Sequence, residues 1–398
     1  MNVLALSYLF PNHKQPSHGI FIYNRLKAVS KYHNIKVVAP VPWFPLSRYF
    51  SKYKELGDVP YFETCDGLNV HRPRFFIIPR YFKWLDPIFY LFCSACTILS
   101  INKKCKFDIV DVHWAYPDIL AGYCFAKLFH KPLIVTLRGK EVICYGEKSV
   151  RKKIIDFLLR RADRVVCLSK ELSEIACNIG VCPQKINIIS NGVDVDMFKY
   201  IDQTVSRKRL NLPLDKKIIL SVGYLIERKG FHKIIGVLPD LLKKYPDIQL
   251  YIVGSLGAEG DFQEKLIQMI EELSLKNNVF LVGKKLNEEL FEWYNAADVF
   301  CLATSGEGSP NVVLEALACG CPVIASSVGG IPEIICKDFL GNTFDCLDVN
   351  DLKLTLVNYF EKKLERERIR NYMERFSWDW CAKQVVDVYE RSQSDIEG

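Results

Sequence analysis

The sequence predicts an α/β protein built as two Rossmann-like domains facing across a cleft. Short β-branched runs alternate with helix-length segments, the pattern of parallel sheets. A length of 398 residues suits two domains of ordinary size. The alternation breaks once, after Asn191-Gly192-Val193-Asp194, where a turn pair is followed by the charged stretch Asp202 to Lys208. The expected domains are therefore 1–198 and 199–375, with a hinge near 195–210.

In the first domain the strands are expected at Val3–Ser7, Ile35–Ala39, Phe107–Val112, Leu133–Leu137, Arg164–Leu168 and Ile186–Ile189. In the second they are expected at Ile218–Val222, Gln249–Val253, Val279–Val282, Val299–Leu302 and Pro322–Ala325. A dinucleotide enzyme is the nearest rival for two such halves. It fails at the first strand, because Ser7-Tyr8-Leu9-Phe10-Pro11-Asn12 has no Gly-x-Gly-x-x-Gly and so no tight pyrophosphate loop.

The most informative helix starts near Ser309. Ser309 is a good N-cap, Pro310 suits the first helical position, and Gly320 with Pro322 makes a stop, so the helix should run from about Pro310 to Cys319. Glu315 is its only charge among Val312, Val313, Leu314, Ala316, Leu317 and Ala318. A lone buried carboxylate costs several kcal/mol unless it is partnered, so Glu315 should face a cleft. It lies roughly 9 Å along the axis from a helix start that attracts phosphate. Glu307, eight positions earlier, makes a second carboxylate, and the pair suits a ligand with a phosphate between two hydroxyl-rich ends.

After the first strand of the second half, Gly223-Tyr224-Leu225-Ile226-Glu227-Arg228-Lys229-Gly230 sets a glycine turn and two cations before a helix. Fixed Arg and Lys side chains stabilise a leaving diphosphate without a metal. In the first half, Asp111-Val112-His113-Trp114-Ala115-Tyr116-Pro117-Asp118 and Val135-Thr136-Leu137-Arg138-Gly139-Lys140-Glu141 each follow a buried strand. Both end at the carboxyl edge of a parallel sheet, where α/β ligand sites form.

Glu307-x7-Glu315 with its Ala-Leu-Ala-Cys-Gly-Cys-Pro-Val-Ile-Ala tail resembles the donor motif of the family 4 glycosyltransferases, the large retaining GT-B group, over nearly the whole chain. The resemblance implies that Glu315 holds the donor's ribose hydroxyls and Glu307 its sugar hydroxyls. The helix start, Gly308, Ser309, Pro310, Asn311 and Val312, would hold the diphosphate with Gly223, Arg228 and Lys229. The segment 223–230 is similar to the family's Gly-Arg-Leu-x-x-x-Lys-Gly signature, with Lys229 at its Lys. Tyr224 replaces the usual Arg, and Arg228 is read as compensating. His113 resembles the family's sugar-contacting His, Arg138 stands where many relatives carry a second His, and Gly19 matches a glycine loop that admits sugar or phosphate. The segment from Phe376-Ser377-Trp378 onward, about 376–398, resembles a terminal helix that crosses back to the first domain.

The implied reaction moves a sugar from a nucleotide diphosphate sugar to a hydroxyl of a lipid-linked or polysaccharide acceptor, with retention, no covalent nucleophile, no metal and no cofactor. An epimerase or phosphorylase of the same fold, or a non-catalytic nucleotide-sugar-binding partner, is the alternative. Asp194-x-Asp196 imitates a metal motif but lies in a turn that resembles the GT-B interdomain turn. Cys93-x-x-Cys96 and Cys319-Gly320-Cys321 read as packing.

Composition supplies the setting. Residues 1–200 carry 29 Lys and Arg against 16 Asp and Glu, a net of +13, and the remainder carries −6. Such asymmetry implies an anionic surface facing one domain. No nucleic-acid module is present. A membrane suits better, because Arg72, Arg74, Arg80 and Lys83 alternate with Phe75, Phe76, Tyr81, Phe82 and Trp84, and Trp43, Phe44, Arg48, Tyr49, Phe50 and Lys52 repeat the pattern. The longest apolar run, Pro87 to Ile101, falls short of the ~20 residues that span a bilayer. With no signal-peptide pattern and 15 scattered cysteines, the expected location is cytoplasmic, peripheral to the inner face of the membrane.

Overall fold

The computed structural model describes residues 1–139, 149–257, 260–362 and 365–397. Lys140 and Glu141 of the second strand-end motif, and the side chain of Lys52, lie outside the described residues. Two compact units form: Met1–Asn191 with Trp378–Gly398, and Gly192–Ser377.

In the first unit, β1 (Asn2–Leu6), β2 (Asn34–Val38), β5 (Leu68–His71), β7 (Ile109–Val112), β8 (Leu133–Leu137), β9 (Arg164–Cys167) and β10 (Ile186–Ile188) pair in parallel. With β4 (Phe62–Cys65) antiparallel on β5, the order is β10-β9-β8-β7-β1-β2-β5-β4. The core strands are apolar on both faces, as a sheet covered on both sides requires. Two further strands, β3 (Val41–Trp43) and β6 (Arg74–Phe76), pair with each other. The helix Trp378–Glu397 packs in this unit beside the helix Ile20–Val29.

The second unit is a six-stranded parallel sheet in the order β13-β12-β11-β14-β15-β16, from β11 (Ile218–Val222), β12 (Gln249–Val253), β13 (Val279–Gly283), β14 (Val299–Leu302), β15 (Val323–Ser326) and β16 (Gly341–Phe344). Every strand read from the sequence is present. Those not foreseen, β3 to β6 and β16, are three or four residues long and hold polar or aromatic residues such as Asn69, His71, Arg74 and Asn342. They form through pairing with neighbours rather than through a local pattern.

The domain boundary falls earlier than expected. Residues 192–198 belong to the second unit, because Val193 and Phe198 are buried in its core and Val193 N–H donates to Phe376 O at 3.0 Å. Arg370 holds the segment, donating to Val195 O at 2.8 Å, Phe198 O at 2.9 Å and Ala318 O at 3.1 Å. The closing helix likewise starts at Trp378, two residues later than read.

The apolar run 87–101 sits in the helix Asp86–Lys104, and the segment Lys83–Lys104 is by length and composition able to cross a membrane. The helix therefore extends beyond the apolar run at both ends. Pro87, Tyr90, Ser94, Ile98 and Ile101 form a buried stripe at helical spacing. Among the described residues the 14 cysteines are free thiols. Cys93 packs against the core of the first unit, and Cys319 and Cys321 are buried at a helix end.

Replacing Arg370 with alanine removes the donor shared by three carbonyls. The variant is expected to lose about 2–4 kcal/mol from the stability of the second unit. Chemical denaturation reads the loss, and hydrogen exchange should show protection falling first across Val195 to Phe198.

Candidate functional site

Strand order locates the site of the second unit. From β11 the chain winds outward through β12 and β13, then returns to the other side of β11 for β14. The segments leaving the carboxyl ends of β11 and β14 therefore diverge to opposite faces, and a crevice opens between their starts. The β11 segment is Gly223 to Gly230, and the β14 segment is Ala303 to Asn311. Gly230 makes the approach possible: its φ is +72°, and a Cβ there would lie 1.9 Å from Ala303 O. Ser305 N–H then donates to Arg228 O at 2.9 Å.

The two predicted cations meet the first predicted carboxylate here. Lys229 Nζ lies 2.6 Å from Glu307 Oε1, Arg228 Nη1 lies 3.4 Å from it, and Thr304 Oγ1 donates to it at 3.1 Å. Arg228 also donates to Gly306 O at 2.9 Å. Gly223 leaves room for the Lys229 chain, whose Cδ would be 3.3 Å from a Cβ at that position. Gly308 O accepts from Gly330 N–H at 2.8 Å, which ties the Glu307 loop to the turn after β15. Tyr224 is half exposed.

The helix after this loop runs Asn311–Ala318, one residue later than its sequence signals. Pro310 rather than Ser309 is the N-cap. Its extended ψ of 114° keeps it outside the helix, while its carbonyl accepts Val313 N–H at 3.1 Å. Ser309 is buried before it, and Asn311 and Val312 open the first turn. At the other end, Gly320 N–H donates to Leu317 O at 2.8 Å and Cys321 N–H to Ala316 O at 2.9 Å, the double closure of a Schellman stop. Glu315 is buried, and its Oε2 accepts from Tyr294 O–H at 2.9 Å. Burial pushes its carboxyl up to about 7, against the pull of that hydroxyl. Thr304 and Tyr294 were not foreseen, because only the tertiary fold brings them to the two glutamates.

In the first unit the order reverses between β1 and β7, and His113 follows β7 at that point. A buried polar chain runs through it. Tyr389 O–H donates to Asp111 Oδ2, Asp111 Oδ2 lies 2.8 Å from His113 Nε2, and Arg138 Nη2 lies 2.9 Å from His113 Nδ1. Asn191 Oδ1 accepts from Arg138 at 3.4 Å and from Arg25 at 3.3 Å. Arginine can only donate, so Nδ1 is the acceptor and Nε2 carries the proton toward Asp111. Burial lowers the basicity of His113 despite Asp111. Asp111 is raised by burial, but His113, Tyr389 and Arg138 outweigh that and hold it ionised below the usual range. A neutral, oriented imidazole results.

One expectation changes at these positions. His113 and Arg138 are brought together as predicted, Arg138 engaging Nδ1 of His113 inside the unit while Nε2 lies beside the Asp111 carboxylate. Gly19, with φ +74°, does not clear space for sugar or phosphate: a Cβ there would lie 2.5 Å from Leu9 O, so the vacancy is filled by the chain itself. Asp194 is likewise spent locally, its Oδ1 accepting Asp196 N–H at 3.2 Å and Met197 N–H at 2.9 Å.

The basic-aromatic clusters are sorted by packing. β3 and β6 are parallel, so the segments that follow them, 44–58 and 77–85, emerge at the same end of the pair. Trp43, Leu46, Tyr49, Phe50, Tyr81, Phe82 and Trp84 are exposed there, with Arg48, Lys54 and Arg80. Phe44 and Phe75 are instead core. Arg72 is buried against Glu63, Arg74 donates to the carbonyls of Gly57 and Val59, and Lys83 pairs with Asp86 at 3.2 Å. These three cations are structural.

Comparison with known proteins gives a consistent placement. The sequence model of the Glycosyltransferase Family 4 domain matches residues 31–197, and that of "Glycosyl transferases group 1" matches 202–376. The chain is 27% identical over 352 residues to an uncharacterised glycosyltransferase of Methanocaldococcus jannaschii, covering 84% of this chain and 87% of that protein. It is 25% identical over 344 residues to the putative teichuronic acid biosynthesis glycosyltransferase TuaC of Bacillus subtilis, covering 85% and 84%. The structure of HepE from Anabaena in complex with UDP superposes with a TM-score of 0.74 at 19% identity, covering 98% of this chain and all of the other.

The elevated Glu315 carboxyl carries a pH consequence. An acid whose folded value is raised opposes folding once its unfolded form ionises. The opposition begins above about 4.5 and is complete above about 7. Glu315→Gln keeps an acceptor for Tyr294 and removes the charge. Its stability relative to the wild type is expected to be level near pH 4 and to rise by up to about 3 kcal/mol by pH 8, measured by denaturant midpoints across that range.

Proposed function

Because the chain belongs to the family 4 glycosyltransferases, of GT-B fold, we propose that its second unit binds a nucleoside diphosphate sugar and that transfer proceeds with retention. The observation that carries this reading is the convergence of Glu307, Arg228, Lys229 and the start of the helix Asn311–Ala318 at the strand-order reversal. Two cations and an amide-bearing helix start match a diphosphate. Glu315 suits ribose hydroxyls, and Glu307, already fixed by three donors, suits the hydroxyls of the sugar. Lys229 and Arg228 neutralise the departing diphosphate, with Glu307 sharing Lys229 until the phosphate arrives. No metal or cofactor takes part, and the departing phosphate assists attack from the same face.

The acceptor is a hydroxyl of a lipid-linked or polysaccharide intermediate, in keeping with the printed role of TuaC, and UDP is the first nucleotide to try, in keeping with the HepE complex. The enzyme works in the cytoplasm at the inner face of the membrane, where Arg48, Lys54 and Arg80 with their aromatic neighbours meet anionic headgroups.

Donor titration and product analysis test the site. Glu315→Ala should weaken nucleotide binding by about 1.5–3 kcal/mol for each bond lost. Lys229→Ala and Glu307→Ala should lower kcat more than donor affinity, and activity should survive EDTA. Strict dependence on Mn²⁺ or Mg²⁺, or equal small effects of Glu315→Ala and Glu307→Ala on affinity and rate, would overturn the assignment.

Vesicle co-sedimentation tests the surface. Reversing Arg48, Lys54 and Arg80 to Glu leaves the structural Arg72, Arg74 and Lys83 intact. It should remove about 1 kcal/mol per cation of binding to anionic vesicles, as should screening at high salt. Unchanged sedimentation of the reversed protein would move the membrane contact elsewhere or remove it.

A further inference from the structure

On the outer strands of the first sheet, one face departs from the pattern of a doubly covered sheet. Ile35, Val37, Leu68 and Val70 are buried in the core on one side. The alternate residues face the other way, and they are largely polar: Lys36 pairs in register with Asn69, and Asn69 with Thr64, while His71 lies opposite Phe62. The helix Asp86–Lys104 covers this side with its Tyr90, Ile98 and Ile101 stripe nearer the sheet centre. Its C-terminal half leaves a groove, with Thr97, Ser100 and Lys104 on one face at i, i+3 and i+7. The groove encloses about 600 Å³ between that helix and the polar floor, within the range of small-ligand sites.

Its charge is one-sided, set among walls that are otherwise largely apolar, with Ile101, Cys96 and Cys105. Lys36, Lys104 and His71 line it, and no carboxylate does. Among the described residues no ion pair neutralises Lys36 or Lys104. Burial and then the positive field of the two lysines hold the His71 imidazole below its usual range. Asn69, Thr97 and Ser100 add neutral hydrogen-bonding groups. Phe62 is half exposed at the groove edge, its ring 4.9 Å from that of His71. A half-exposed ring beside hydroxyl and amide groups is a platform for the C–H face of a sugar, and paired cations beside it select an acidic one.

We propose that this groove is a second binding site, separate from the donor site, for an anionic saccharide segment whose carboxylate or phosphate lies between Lys36 and Lys104 and whose ring rests on Phe62. The proposal does not depend on the donor assignment, because it concerns different residues in the other unit.

Isothermal titration of the full chain at low ionic strength tests it, with three probes: an oligogalacturonate hexamer, its uncharged methyl ester, and tripolyphosphate. The acidic hexamer should bind and the ester should not. Lys36→Gln with Lys104→Gln should weaken the hexamer about tenfold or more, and Phe62→Ala about fivefold. Ser100→Trp, which fills the groove from the exposed helix face with both charges intact, should abolish binding. Unchanged melting temperatures for these surface variants show that the fold is retained. Absence of binding to the wild type, or binding indifferent to both the lysine pair and Ser100→Trp, would overturn the site. Tripolyphosphate binding as tightly as the hexamer, with no effect of Phe62→Ala, would overturn the saccharide assignment in favour of a phosphate site.

Discussion

The reversal of strand order on either side of β11 is the constraint on which the rest of the second unit depends. Parallel strands need right-handed crossovers, so a chain that starts in the middle of a sheet must build to one side and then the other. The loops leaving β11 and β14 are thereby parted at their tips and joined at their bases. Charged groups on those loops meet at the crevice, where the close set around Glu307 forms. One oxygen takes Lys229, Thr304 and Arg228, so no unpaired charge is left half-buried at the base of the crevice.

Glu315 answers the same constraint differently. It stands in an apolar helix with one neutral partner, Tyr294, and burial raises its carboxyl to about 7. A carboxylate kept poorly solvated gains most from a ligand that brings hydroxyl donors. The native chain therefore carries a stability cost at neutral pH. Glu307 is preorganised by cations, whereas Glu315 is poised by the lack of them.

The first unit repeats the topology but uses it for a buried polar chain. Tyr389, from the C-terminal helix, reaches Asp111 on β7, and Arg25 and Arg138 meet at Asn191, the last residue before the chain leaves the unit. The two ends of this unit, more than 180 residues apart in sequence, are thus locked by hydrogen bonds at the carboxyl edge of the sheet. His113 is held by this chain in one tautomer.

Sequence alone determined eleven of the strands and the α/β class, and it singled out Glu307, Glu315 and the cations at 228 and 229, because each rests on a local signal: β-branched runs, a Gly-Pro stop, or charge in an apolar helix. The boundary was read within a few residues, since the turn at Asn191-Gly192 is local but the burial of Val193 and Phe198 is not. Tertiary structure decided the rest. Strands such as Phe62–Cys65 and Arg74–Phe76 exist only through their neighbours, and Thr304 and Tyr294 reach the glutamates only across loops. Gly19 makes room for Leu9 rather than for a ligand, and Arg72, Arg74 and Lys83 hold the chain while Arg48, Lys54 and Arg80 face solvent. Periodicity and capping are written within a few residues of the chain, whereas which polar group fills which gap depends on contacts between residues far apart in it.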